Sequence, residues 1–386
     1  MPDDHPHVWE IDTDTMEWVE RPRSRRHFLM GVGGTVLGAG LLGTLAGCGG
    51  SDDEGSASAE GGKPGEGKTL ALSLNGFNTY DQDTAEGFLK ALQGTGYRLI
   101  GAEAAFDATK ELDNIRQLVA RQPDGLAVLA ASAEGAARGA AEAKRKGIPT
   151  VAQIWFPVSK EVDSAAWDSA LQLDTDEGGK LTIDFIAKTQ GVTEGKILEI
   201  TGLDAQPFSE GYKQGLRKAL KQYPGLRVVA SQQGFYTADG ALKVLRPMLS
   251  AHPDAKVIID YAAEMGNAIS QELKRRNKTN IVHVTSDGND AMIPLLKEED
   301  GAYTKGDRWF SPGDQGVVSV KVLRARIEND EDPTNENIGV EGFTIVPGTK
   351  DPIVIKTRQE LATAENIDSL PPFGYNELAS KIPFGG

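Results

Sequence analysis

Residues 69–75 read TLALSLN, and three residues later Asn78-Thr79-Tyr80-Asp81 opens a run whose apolar positions Ala85, Phe88, Leu89 and Leu92 recur at helical spacing. A short buried strand followed by an amphipathic helix is one turn of a strand–helix alternation, and the sequence around it repeats that unit. Working outward, YRLIGAEA (97–104), GLAVLA (125–130), PTVAQI (149–154), KILEITG (196–202), LRVVASQ (226–232), KVIIDY (256–261) and IVHVTSD (281–287) are further strands. Helical patterns such as Leu112-Ile115-Leu118-Val119 lie between them. Apolar strands alternating with helices imply an α/β fold in which parallel sheets are covered on both faces. Eight such strands fall into two sets of four, before about residue 155 and from 196 to 287. The expected architecture is therefore two doubly wound lobes facing each other across a cleft, with ligand outside the carboxyl ends of the strands.

Ahead of this region, Ser24-Arg25-Arg26-His27-Phe28-Leu29 precedes a Gly- and Leu-rich run, Gly31 to Leu45, and then Leu45-Ala46-Gly47-Cys48. Paired arginines before a short apolar stretch have the layout of a secretory signal and resemble a twin-arginine signal. Leu45-Ala46-Gly47-Cys48 resembles a bacterial lipobox, in which the cysteine is acylated and becomes the new N-terminus. The apolar run is shorter than the ~20 residues of a membrane span. Residues 1–47 are accordingly read as a removed signal peptide and 48–68, rich in Gly, Ser and Glu, as a flexible tether. The expected product is extracytoplasmic and touches the membrane only through the lipid on Cys48.

Composition narrows the function. The chain has 386 residues, a formal charge of −15 and a single Cys. No basic stripe is present to neutralise phosphates, so nucleic acid is excluded as a partner. One Cys rules out a disulfide framework or a Cys-rich metal centre within the chain. Beyond the signal only His252 and His283 remain, which leaves little basis for a Ser-His-Asp triad or a His-ligated metal. Gly62-Lys63-Pro64-Gly65-Glu66-Gly67-Lys68-Thr69 spells a P-loop but precedes a strand instead of following one, the wrong context for cradling phosphate. No cofactor, metal or catalytic residue is expected.

Several pieces in order carry a family resemblance: Asn78-Thr79-Tyr80-Asp81 after the opening strand; Gly147-Ile148-Pro149; Asp174-Thr175-Asp176-Glu177-Gly178-Gly179; Ser231-Gln232; Leu249-Ser250-Ala251-His252-Pro253-Asp254; Glu264-Met265; Ser286-Asp287-Gly288; and Pro312 with Gln315-Gly316. Over residues 69–345 the chain resembles the periplasmic sugar-binding proteins of ABC importers, the ribose-binding-like branch related to LacI-type regulators. The resemblance implies a three-segment hinge near residues 172, 311 and 343. The N-lobe would combine 69–172 with 312–342, and the C-lobe 173–311 with 343–386, including a C-terminal tail without an assigned role. It further implies a monomer that captures a sugar or polyol and delivers it to ABC permease subunits, without chemistry.

A sugar offers hydroxyls and apolar C–H faces, so its site needs carboxylates, amides and rings. Carried over position by position, the ligand contacts would be Asn78, Tyr80, Asp81, Trp155, Phe208, Glu210, Tyr236, Asp287 and Phe310. The positions at which relatives hold arginine carry other residues, among them Trp155 and Glu210, which points to a neutral sugar or small polyol other than ribose. Three alternatives stay open on the residues alone: an amino-bearing ligand for the carboxylates, a sensor for a membrane signalling protein, and a hydrolase using Asp81 and Asp287. Asp81 and Asp287 also suit plain helix caps.

Overall fold

The computed structural model describes residues 8–18, 63–204 and 206–382. The paired arginines, the apolar run, Cys48 and most of the tether lie outside the described residues. The chain begins with a hairpin, β1 (Trp9–Asp12) and β2 (Glu17–Trp18). The first alternating set follows as β3 (Thr69–Leu74), α1 (Thr79–Leu92), β4 (Arg98–Glu103), α2 (Ala108–Ala120), β5 (Gly125–Leu129), α3 (Ala133–Lys144), β6 (Thr150–Gln153), α4 (Lys160–Ala166) and β7 (Ser169–Leu173). The second set is α5 (Thr175–Asp184), β8 (Glu194–Thr201), α6 (Pro207–Leu220), β9 (Gly225–Gln233), α7 (Ala238–Ala251), β10 (Val257–Asp260), α8 (Ala263–Arg275), β11 (Val282–Ser286), α9 (Met292–Lys297) and β12 (Gly306–Trp309). Then come α10 (Pro312–Asn329), α11 (Asn335–Ile338), β13 (Phe343–Ile345), β14 (Ile353–Thr357) and β15 (Glu360–Ala362).

Two sheets result. One has nine strands in the order β13-β14-β7-β6-β5-β3-β4-β1-β2, the other six in the order β15-β12-β11-β10-β8-β9. Their parallel centres follow one scheme: the second strand of each set lies on one side of the first and the remaining strands on the other. Chain order therefore reverses between β3 and β5 and again between β8 and β10, which opens a crevice at the carboxyl ends of both sheets. The antiparallel strands β1, β2, β13 and β15 finish the edges.

Side chains at the helix starts explain where the turns fall. Asn78 and Asp81 form a reciprocal capping box on α1, Asp107 caps α2, Ser132 caps α3, and Ser311 with Pro312 at the first helical position starts α10. Glycines then set the closest helix approach: a Cβ on Gly87 would lie 1.8 Å from the Gly313 carbonyl oxygen, and one on Gly316 would lie 2.2 Å from that of Thr84. This contact packs α10 against α1, so the N-lobe takes back the chain after the second crossing.

The lobe boundaries differ from the sequence expectation at one crossing. The chain leaves the N-lobe sheet after Leu173 at the end of β7, and after β12 it returns at Phe310-Ser311 ahead of α10. The third crossing is not near 343, because β14 pairs in parallel with β7 and β13 pairs with β14, which places 343–357 in the N-lobe sheet. It falls at Arg358-Gln359, ahead of β15 on β12. The buried Gln359 ties the crossings together: its Nε2 donates to Asp174 O at 2.7 Å and its Oε1 accepts from Arg308 Nη1 at 2.6 Å. The tail then runs back from the C-lobe to the N-lobe. Phe373 packs against Trp309 at 5.1 Å between centroids, Tyr375 N donates to Glu86 and Tyr375 OH to Asp314, and Glu377 pairs with Lys90. Residues 8–18, inside the stretch read as signal peptide, pair with β4 at the outer edge of the N-lobe sheet.

Candidate functional site

The carboxyl ends of both sheets meet around an atom-free space of about 700 Å³, its mouth included. The N-lobe contributes Asn75 just past β3, Asn78 and Tyr80 at the start of α1, Phe106 after β4, and Gln153, Ile154, Trp155 and Phe156 at the end of β6. The C-lobe contributes Gln206 and Phe208 after β8, Tyr236 after β9 and Asp287 after β11. Four of these wall residues have left-handed backbones: Phe106 (φ 59°), Ile154 (43°), Tyr236 (57°) and Asp287 (75°). That region is strained for side chains other than Gly, Asn and Asp, and above all for β-branched Ile154. Strain gathered where strands end aims these side chains inward.

Six of the nine residues expected from sequence line the cavity: Asn78, Tyr80, Trp155, Phe208, Tyr236 and Asp287. Three do not. Asp81 is fully buried and accepts from Gly76 N at 3.2 Å and Asn78 N at 3.3 Å, so it holds the turn before α1. Burial pushes its carboxyl up to about 7 against those two donors. Glu210 is exposed on α6, bonded to Gln214 beside Lys213 and Arg217, away from the cleft. Phe310 lies behind the wall, packed on Tyr80 at 6.0 Å.

Arg308, outside the expected contacts, stands behind the cavity wall next to Asp287. It is fully buried; Nη2 donates to Ser286 Oγ at 2.5 Å and approaches Asp287 Oδ1 at 3.5 Å. Its guanidinium lies over the rings of Tyr212 (4.2 Å), Phe310 (4.9 Å) and Phe208 (5.0 Å). Asp287 is pushed up to about 7 by burial, which Arg308 and Ser286 only partly offset. Asn75, Gln153 and Gln206 were also missed. Each of their side-chain oxygens is buried without a protein partner. All three stand at or just past a strand's carboxyl end, the place where doubly wound sheets bind ligand, and that rule would have found them.

Contacts between the lobes close the site. Thr79 of α1 donates through N (3.1 Å) and Oγ1 (2.5 Å) to Glu264 Oε1 at the start of α8. Phe106 stacks on Tyr236 at 5.9 Å and 24°, and Phe156 meets Phe208 edge-on at 6.5 Å. Among the described residues no cluster of His, Cys, Asp or Glu suits a metal ion, and no helix is long and apolar enough to cross a membrane.

Comparison with known proteins agrees with this geometry. The model of the periplasmic binding protein domain matches residues 70–331. The chain belongs to that family. Members of this periplasmic binding family serve ABC importers by binding solute, not by transforming it. The ribose import binding protein of Haemophilus influenzae is 26% identical over 258 residues, covering 66% of this chain and 86% of the relative. The D-apiose import binding protein of Paraburkholderia graminis is 25% identical over 227 residues, 58% of this chain and 70% of that one. Among solved structures, an ABC transporter solute-binding protein from Actinobacillus succinogenes with bound D-allose superposes with a TM-score of 0.68 at 18% identity, covering 78% of this chain and all of that one. One from Burkholderia graminis in complex with D-arabinose gives 0.66 at 19%, covering 79% and 98%. These structural likenesses establish the fold, two sheet lobes of the periplasmic binding type.

Proposed function

We propose that this periplasmic binding protein captures a small neutral sugar or polyol between its lobes and hands it to ABC permease subunits, as a lipoprotein held by Cys48. The observation that carries the ligand class is the pairing of aromatic walls with unpartnered amide oxygens on Asn75, Gln153 and Gln206. Buried acceptors without donors are costly, and a polyhydroxylated guest supplies donors while its C–H faces cover the rings of Tyr80, Trp155 and Phe208. Arg308 weighs against an amino-bearing ligand, since a buried cation already stands beside Asp287. Geometry weighs against the hydrolase alternative, because Asp81 faces its own turn and, among the described residues lining the cavity, no second carboxylate opposes Asp287. The family relatives import ribose and D-apiose, the same class of solute. For the lipid anchor and the permease, support comes from the sequence motif at Leu45–Cys48 and from the family.

A thermal-shift screen against pentoses, hexoses, polyols and amino sugars tests the ligand class. A rise in Tm with one or a few neutral compounds, lost in Asp287→Ala, is expected. A response restricted to amino sugars, or none to any class, would overturn it.

A further inference from the structure

Gly101 stands in the middle of β4, where a glycine normally weakens a strand because it has no side chain to pack. Here the missing surface comes from the far N-terminus: a Cβ on Gly101 would lie 2.1 Å from Cζ2 of Trp9, so the indole rests directly on that backbone. Register pairs Trp9 with Gly101 and Ile11 with Leu99. Thr13 Oγ1 donates to Tyr97 O at 2.5 Å, Arg98 meets Glu10 at 3.3 Å, and Asp14 accepts from Gly96 N at 3.1 Å. Ile11 and Thr13 are fully buried, and Trp9 and Met16 nearly so. Apolar and polar contacts thus agree on one register, the mark of a specific fit rather than a loosely lying tail.

The described residues on either side of segment 19–62 are tied together, since Asp14 and Lys63 form an ion pair at 2.7 Å. That segment carries Arg25-Arg26, the apolar run and Cys48. A span of the membrane by residues 28–47 would put residues 8–18 and the folded body on opposite faces, where β1 cannot reach β4. Cleavage ahead of Cys48 would sever the two. The docked hairpin therefore belongs to a folded chain whose N-terminus and body still share one compartment.

We propose that residues 8–18 are a detachable cover for the β4 edge, seated once the N-lobe has folded in the compartment of synthesis and removed when the body leaves it. An open sheet edge is a template for unwanted strand pairing, and this segment fills it by β-augmentation in cis. The docking stands on the hairpin's contacts alone; the release rests on the export reading given above.

The two faces of β4 provide an internal control. Arg98 N donates to Lys68 O and Ala104 N to Leu74 O, both on the β3 side. By strand alternation Ile100 and Ala102 amides also face β3, and those of Leu99 and Gly101 face β1. Amide hydrogen exchange on the full chain carrying Cys48→Ser, made without export, reads both sets. All four amides are expected to be protected; in Ile11→Asp and in Trp9→Ala, those of Leu99 and Gly101 should exchange about tenfold faster or more, with Ile100 and Ala102 unchanged. Equal rates at Leu99 and Gly101 with and without the substitutions would overturn docking. Loss of protection at all four would make the hairpin a permanent part of the lobe and overturn a detachable cover. Release is read separately, from the rate of N-terminal processing of the chain with Cys48 intact. Faster processing of Ile11→Asp supports it; unchanged processing overturns the release step, and no processing in either chain overturns the export reading while the exchange result on docking stands.

Discussion

Arg308 is a charge held where no water reaches it, and its neighbours explain how. Gln359 and Ser286 accept from its two terminal nitrogens, three ring faces cover its plane, and Asp287 stands 3.5 Å away. A buried ion pair contributes little net stability, but removing one partner strands the other charge at a cost of about 3–5 kcal/mol. In Arg308→Met the carboxyl of Asp287, already at about 7, loses its main lowering neighbour and rises further. Unfolded, it titrates near 4. At pH 5 the folded Asp287 then stays neutral and the variant loses mainly its ring contacts; at pH 8 it must ionise unpaired or hold a proton against solvent. Urea unfolding should show a clearly larger loss at pH 8 than at pH 5. An equal loss at both would assign the contribution of Arg308 to its rings alone. Asp287 was legible in the sequence because it ends an apolar strand. Arg308 was not, because its strand reads Gly306-Asp307-Arg308-Trp309, and burial of its charges leaves no hydrophobic pattern to detect.

Helices α1 and α2 each bury a carboxyl whose titration the whole fold feels. Asp83 on α1 is pushed up to about 8 by burial, helped by the negative charge of Glu86 and Asp290, and the tail presses on it so closely that a Cβ at Gly374 would lie 2.1 Å from its Oδ1. Glu111 on α2 is also pushed up to about 8 by burial, although Ala131 N and Ser132 N donate to it. Both folded values exceed the unfolded ones near 4, so the folded state binds more protons between about pH 4 and 8 and unfolding free energy falls as pH rises through that window. Below it the sign reverses. Glu272, held down to about 2 chiefly by Arg275 and then by Arg276 and Arg246, loses its stabilising contribution as pH falls from about 4 towards 2. The denaturation midpoint is therefore expected to peak near pH 4–5 and to decline towards pH 8, and Asp83→Asn should flatten the decline. A midpoint rising from pH 5 to 8 would contradict this assignment. The tail that presses on Asp83 marks the limit of what the sequence revealed about elements. The central strands were readable as apolar runs, but Ile353–Thr357 is an apolar run that fits either sheet, and only its register on β7 assigns it to the N-lobe. The hairpin at 8–18 was hidden for a related reason: its few buried side chains gain their meaning from Gly101, ninety residues away in sequence.

The molecule as a whole is held shut by contacts that exist only when its lobes meet. Two doubly wound sheets could be inferred from periodicity alone, but the closed relation between them could not, since it depends on side chains that meet across the cleft. Glu264 is the clearest of these: one carboxylate oxygen accepts two hydrogen bonds from Thr79 of the opposite lobe, outside the cavity walls. Hydrogen bonds to a charged group contribute about 1.5–3 kcal/mol, and opening the cleft returns both partners to water. If guest binds only the closed form, its apparent dissociation constant is the intrinsic one divided by the closed fraction. Glu264→Ala, which leaves every cavity-lining residue in place, should then weaken binding of whichever sugar or polyol the screen identifies by roughly ten- to hundredfold. The same variant should show a larger radius of gyration by solution scattering without ligand, and the wild-type radius once ligand saturates it. Its urea unfolding should remain near wild type, because each lobe keeps its own core. A variant with wild-type affinity and scattering would mean that the ring contacts alone set the closed population, and one that binds weakly while scattering like the wild type would place Glu264 in the recognition of ligand instead of in closure.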